Sequence, residues 1–452
     1  MLFTLITRVI TLIYKGFKSM ESNLRYPVIE NAKDIIVNHI NIKTSELYGE
    51  NLPEFIKSRL DIELQSINNE EFATVYLIAK RLTSYNPEIG QFSGVRASAG
   101  ASFIAFLLGI SGVNPLVPHY LCNECKHIEL QVDTASGFDL PIENCTQCDN
   151  IVFGDGHNIP FEVFGGLNCE ITPQISILTN LEEGKKGKQN LECILNDYVI
   201  IQAGAISKNN KLYKNPSGFV IVPKKYVDDV PISYIDADKE IAVTSQDYHE
   251  LTSYYLQNIT GHFDINKLFY LAQEVGVSLD NIPMNNPELY KAFANCDTQS
   301  IREFETDFMI NALGICKPEC FSDLVKINGL GHSNGAWGSA RMLIQAHDIT
   351  LKEIISSRDD IFNYLSLKGM KREQAYNVMD VVMQGKGNTL TEELFNSIDL
   401  PLWYLDSCKP IEFLFHKASS VFYTKMSVQM MYFKIYHNEI YKRILESDIW
   451  RE

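Results

Sequence analysis

Between Leu52 and Arg81 the apolar residues Phe55, Ile56, Leu60, Ile62, Leu64 and Ile67, then Val75, Ile78 and Ala79, recur at helical spacing. The whole stretch from 23 to 120 reads the same way. Near its end, Gly94-Val-Arg-Ala-Ser-Ala-Gly100-Ala-Ser runs into Phe103-Ile-Ala-Phe-Leu-Leu, a small-residue turn opening a buried helix. Its first-turn amides, with Arg96 beside them, suit either close packing or an anion. From 158 to 262 the period changes. Val199-Ile-Ile-Gln, Gly218-Phe-Val-Ile-Val-Pro223 and Ile241-Ala-Val-Thr are short β-branched runs bounded by turn residues, and they predict strands. From 263 to 445 the pattern returns to helices, expected over Glu303–Leu313, Ser322–Ile327, Arg372–Met383 and Ser420–His437. No repeat or low-complexity run interrupts this order.

Composition adds bounds. A chain of 452 residues, 45% hydrophobic and 21% charged, is ordinary globular material for two or three domains. A net charge of -16 argues against a broad basic nucleic-acid surface but allows a local patch. Ten cysteines are too few for a disulfide scaffold and suit a reducing cytoplasm. Leu2–Tyr14 is apolar apart from its threonines and Arg8, with Lys15 and Lys18 after it. The run is short for a bilayer, and its basic residues follow it, against signal-peptide order. A docked helix or an upstream start codon before Met20 is favoured over a membrane anchor, and no membrane partner is expected.

Candidate chemistry begins with Cys122-Asn-Glu-Cys125 and Cys145-Thr-Gln-Cys148. Two C-x-x-C knuckles supply four soft ligands for a tetrahedral zinc ion with no open position, hence structural rather than catalytic. A disulfide pair or free thiols is the alternative.

The words around the knuckles carry more. Asn114-Pro-Leu-Val-Pro-His-Tyr120-Leu leads into the first knuckle, Ser136-Gly-Phe-Asp-Leu-Pro141 lies between the two, and Asp155-Gly-His-Asn-Ile-Pro-Phe-Glu-Val-Phe164 follows. With Tyr48-Gly-Glu-Asn-Leu-Pro53, Phe321-Ser-Asp-Leu-Val-Lys-Ile-Asn-Gly-Leu330 and Trp403-Tyr-Leu-Asp-Ser-Cys408, this resembles the polymerase core of the PolC-type bacterial DNA polymerase III alpha subunit, in collinear order over roughly residues 25 to 445. The resemblance implies an α+β fold: a nucleotidyltransferase palm with a mixed sheet and helices, a zinc-ribbon insert, a shortened thumb region and a large helical fingers domain. The implied division is an apolar tail at 1–22, palm at 23–121, zinc insert at 122–148, palm with reduced thumb at 149–262 and fingers at 263–452. The family's proofreading exonuclease, PHP domain and C-terminal clamp-binding and single-strand-binding parts have no counterpart among these residues.

The resemblance also implies Mg²⁺ chemistry with dNTP and DNA, since nucleotide addition uses two dications held by carboxylates. The family's Asp-x-Asp pair and third Asp fall here on Gln174, Ser176 and Asn258, all neutral. Asp236 and Asp238 form an Asp-x-Asp out of family register. Arg96 and Ser98 match phosphate-side positions, although the family's Gly-Ser has become Ala97-Ser98. Lys417 is retained, either for a triphosphate or as a solvated helix lysine, and the family's following histidine is Ser419. Two family arginines read Gln202 and Gln429, and the family's Gln-His-Pro-Gly-Gly reads Lys214-Asn-Pro-Ser-Gly218. The thumb stretch is reduced to about Gln202–Leu212, which removes phosphate contacts to the template duplex.

An apolar scaffold kept whole while charge is lost from one site points to a folded pseudoenzyme of DNA replication that binds DNA or replisome proteins. An active polymerase positioning metal through other residues, and a functionless mobile-element relic, are the competing expectations.

Overall fold

The computed structural model describes residues 25–67, 69–83, 85–86, 90–91, 93–206, 212–230, 232–234, 242–244, 254–346, 349–395, 398–447 and 449–451. The N-terminal apolar run, Asp236 and Asp238 lie outside the described residues.

The helical period between Leu52 and Arg81 resolves into two helices, Glu54–Ser66 and Glu70–Leu82. The break has a local cause: Asn69 caps the second helix, its side-chain oxygen accepting the Phe72 amide at 2.8 Å. Together with Ala32–Tyr48 these helices share the main apolar core with a mixed sheet. Among the described residues its strand order is Ile232–Tyr234, Ala242–Thr244, Tyr198–Ile206, Leu212–Pro223, Tyr255–Gly261, Ile177–Thr179, Gly94–Val95. Side chains alternate between two cores, as the two-residue period of a strand requires. Ile200, Phe219, Ile221, Tyr255 and Ile259 enter the main core. Ile201, Ala203, Val220, Val222 and Leu256 enter a smaller core on the other face. Burial on both faces explains why these strands read as unbroken apolar runs.

The strands Tyr198–Ile206 and Leu212–Pro223 pair antiparallel from Ile206 opposite Leu212 down to Tyr198 opposite Pro223, with a register shift between Lys214 and Phe219. Gln202 pins that irregularity: its Nε2 donates to the carbonyls of Asn215 and Gly218.

A second, four-stranded sheet holds the cysteine knuckles, in the order Ile128–Leu130, His119–Leu121, Ile151–Asp155, Glu143–Asn144. Its own core is small: Tyr120, Cys122, Leu140, Cys145 and Val152. Contacts beyond the sheet hold it to the helical part. Asp139 Oδ1 accepts the Ser322 amide at 3.2 Å. Phe138 meets Phe321 edge-on at 5.0 Å.

The helical part centres on Lys417–Tyr436, a 20-residue helix buried on most sides. It starts three residues before the expected Ser420. Arg372–Met383 forms as expected, and Phe321–His332 extends well beyond the expected Ser322–Ile327. Glu303–Leu313 does not form one helix. Arg302–Phe304 is a 3₁₀ turn, and the helix is Asp307–Cys316, set by Thr306, whose hydroxyl accepts the Met309 amide at 3.3 Å. Small residues let the central helix approach the 94–101 loop. A Cβ on Gly94 would lie 2.3 Å from the Phe422 ring, and one on Gly100 2.9 Å from the Ala418 methyl.

Candidate functional site

Strand pairing brings the sequence-predicted site residues into one row across the sheet. Ile177 pairs parallel with Ile259 and antiparallel with Val95, so Ser176, the mid-strand Asn258 and Arg96 are cross-strand neighbours. The Arg96 amide donates to the Ser176 carbonyl at 3.0 Å. Asn258 Nδ2 donates to Ser176 Oγ at 3.3 Å. Across from Asn258 on its other side stands Gly218. Gln174 is exposed, while its neighbour Ile175 is buried and its carbonyl accepts Gln257 Nε2 at 2.8 Å.

These residues do not fit a pair of magnesium ions. Hard dications require anionic oxygens. Here the row offers an amide and a hydroxyl bonded to each other and one exposed amide.

Arg96 is exposed and hydrogen-bonds the Tyr423 hydroxyl, although burial dominates at that phenol and pushes its pKa up. Ala97 has φ +57°, left-handed backbone that glycine adopts without strain. Ser98 lies in the 3₁₀ turn Ala97–Ala101, and Ser419 Oγ donates to the Ala97 carbonyl at 3.3 Å. Arg96, Ser98 and the start of the Lys417 helix are therefore brought together.

The amides of the helix after this turn meet an anion the sequence reading missed, and it is internal. Glu63, fully buried, accepts the Phe103 amide at 2.8 Å, the Ile104 amide at 3.0 Å and the Ser102 hydroxyl at 2.9 Å. Arg59 completes the arrangement with Nε at 2.5 Å from Glu63 Oε1. The expectation that these amides could hold an external anion is corrected accordingly. The available signal was the Arg59–Glu63 spacing of four on a helix whose other face is apolar.

Lys417 opens its helix with its amide donating to Asp359 Oδ2 at 3.1 Å. Its ammonium is enclosed, and burial pulls its pKa down against the opposing pull of Asp360 and Asp359. A small cavity there is lined by Ser136, His157, Lys326, Asp360, Lys417 and Ser420, among others. Burial would raise the Asp360 carboxyl, but Lys326 at 2.9 Å, Lys417 and the Ser356 amide together outweigh it and hold the pKa low. The solvated-lysine alternative for Lys417 does not hold. Gln429 is buried, its Nε2 donating to the Leu279 carbonyl at 3.0 Å.

No two of the cysteines are joined in a disulfide. Cys122 and Cys148 sulfurs stand 3.5 Å apart, as do those of Cys125 and Cys145, and all four lie within 4.8 Å of one another. A tetrahedral ion with metal–sulfur bonds of ~2.3 Å needs sulfurs about 3.8 Å apart, so the four fit zinc. The two knuckles have the same backbone. Lys126 and Asp149, each just after the second cysteine, have φ +61° and +62°, and their amides donate to the carbonyls of Cys122 and Cys145 at 2.9 Å.

A second group, His262, Asp264 and Glu303, also brings ligand atoms within 4.8 Å. Each is already engaged. His262 Nδ1 accepts the Asp264 amide, Asp264 pairs with Lys267 at 2.9 Å, and Glu303 with His332 at 2.9 Å. This is an ion-pair network at a helix start rather than an open metal site.

Two family models match the chain: the bacterial DNA polymerase III alpha NTPase domain over residues 34–182 and the bacterial DNA polymerase III alpha subunit finger domain over 262–398. Among similar curated proteins, DNA polymerase III PolC-type of Thermotoga maritima is 33% identical over 479 residues, covering 92% of this chain and 35% of that protein. The Bacillus subtilis protein of the same name is 32% identical, covering 96% of this chain and 34% of its own length. That of Clostridium perfringens is 33% identical, covering 92% and 33%. The chain thus spans about a third of the length of these relatives. Among the described residues no helix is long and apolar enough to cross a membrane. With both domain models in chain order and a third of residues shared across nearly all its length, this chain belongs to the PolC-type DNA polymerase III alpha family.

Proposed function

We propose that this chain is a catalytically inactive PolC-type polymerase core that acts by binding DNA or replication proteins in the cytoplasm. The observation that carries the reading is the hydrogen bond from Asn258 to Ser176, a neutral pair where the resemblance calls for metal-binding carboxylates. Two-metal nucleotide transfer needs concentrated negative charge to bind its dications, and that charge is missing here. Cys122, Cys125, Cys145 and Cys148 hold a structural zinc, which supplies no open coordination position and so no chemistry. Residues 23–121 and 149–262 act as the palm with a reduced thumb, 122–148 as a zinc ribbon and 263–452 as the fingers. Arg96 and Ser98 serve as phosphate contacts. Lys417 contributes positive potential from beneath the surface.

Primer extension tests this reading. Purified chain with a primed template, magnesium and dNTPs is expected to add no nucleotide. The triple variant Gln174→Asp, Ser176→Asp, Asn258→Asp tests whether the scaffold is otherwise competent. Gain of extension assigns the defect to the lost charge, and no gain assigns part of it to the reduced thumb. Magnesium-dependent extension by the unmodified chain would sink the proposal.

A further inference from the structure

We infer that the row formed by Arg96, Ser176 and Asn258 binds nucleic-acid phosphate without a divalent metal. This rests on the DNA-binding part of the proposed function and specifies how that site is governed.

The argument is one of local charge. Three carboxylates carry about -3 and repel a phosphate until two dications bring the sum to about +1. Gln174, Ser176 and Asn258 carry none. Without any metal, this row therefore has nearly the net charge that a carboxylate site reaches only when loaded. What remains at the row is attractive. Arg96 is exposed, its backbone stands beside Ser176 through the amide bond to the Ser176 carbonyl at 3.0 Å, and its guanidinium bonds the Tyr423 hydroxyl. Ser176 Oγ accepts from Asn258 at 3.3 Å, leaving its own hydroxyl hydrogen to donate outward. Exposed Gln174 adds an amide donor. Of the carboxylates around this end of the sheet, Asp264 pairs with Lys267 and Glu303 with His332, both at 2.9 Å, and Glu303 acts on the same Tyr423 phenol that Arg96 bonds. A chain of net charge -16 would otherwise repel a polyanion, so a phosphate contact has to come from such a local site.

The test is fluorescence anisotropy of a labelled primed template at matched ionic strength, with zinc-loaded protein in magnesium-free buffer and again with magnesium. The unmodified chain is expected to bind equally, within about twofold, in both conditions. The triple variant Gln174→Asp, Ser176→Asp, Asn258→Asp is expected to bind about tenfold or more weakly without magnesium and to recover with it. Gln174→Asp alone, at an exposed position that does not threaten folding, should show a smaller shift in the same direction. Arg96→Gln should weaken binding in both conditions alike. Binding by the unmodified chain that rises severalfold with magnesium would overturn this inference while leaving the proposed function standing. Equal binding of the triple variant in both buffers would overturn it as well. No binding in either condition would overturn it together with the DNA-binding half of the proposed function, leaving only the binding of replication proteins.

Discussion

His157 is 1% exposed, packed edge-on to Phe138 at 4.7 Å with Nδ1 against Ser136 Oγ at 3.0 Å. Burial pulls its pKa down to about 3, well below the ordinary histidine value. Below about pH 6.5 the unfolded chain takes up a proton that the folded chain refuses, so stability is lost as pH falls from there toward 3. By about pH 5.5 this is on the order of 1 kcal/mol. Thermal melts from neutral to acid pH should show the decline, and His157→Gln should flatten it. Glu63 makes a second prediction. Replacing it with Ala strands Arg59 and two helix amides in the interior, for a loss of about 3–5 kcal/mol in urea unfolding. Neither role was visible in the sequence. A lone histidine in an Asp-Gly-His motif and a glutamate on an amphipathic helix each read as several things until their neighbours are known. Gln174, Ser176 and Asn258 were different: their loss of charge was readable because the surrounding words fix the family register.

The cysteine sheet is expected to depend on a zinc ion held by its four sulfurs. Its private core has five members, two of them ligands, so metal removal deletes most of what orders it. Metal analysis should find about one zinc per chain. A chelator, or Cys145→Ser, should raise hydrogen exchange across 119–155 while the sheet Tyr198–Pro223 stays protected. A zinc-free protein with this region well ordered would contradict the assignment. The element was legible in advance because C-x-x-C spacing is local: three bonds' reach sets two sulfurs toward one point. Helix limits were less legible where a cap decides them. The expected Glu303–Leu313 helix begins at Asp307 because Thr306 takes the first-turn amide, and periodicity alone does not see a cap.

Across the protein, the central helix Lys417–Tyr436 joins the 94–101 loop, the cysteine sheet and the helical part. Lys417 illustrates the consequence. As a sequence position it was a retained basic residue, but the fold encloses it beside Asp359, Asp360 and Lys326. Lys417→Met is expected to unsettle that node, lowering thermal stability together with any DNA affinity, whereas Arg96→Gln should alter affinity alone. Comparing melts with anisotropy for the two variants checks the distinction. Element types, the split into a mixed sheet and a helical part, and the knuckles were encoded in near neighbours along the chain, where period and spacing are set by backbone geometry. The tertiary structure decided which distant residues meet. Asn258 and Ser176 are 82 positions apart, Ser419 and Ala97 322 apart, and Glu63 and Phe103 40 apart. No local period constrains such pairs, because they exist only once apolar burial has brought separate elements into register.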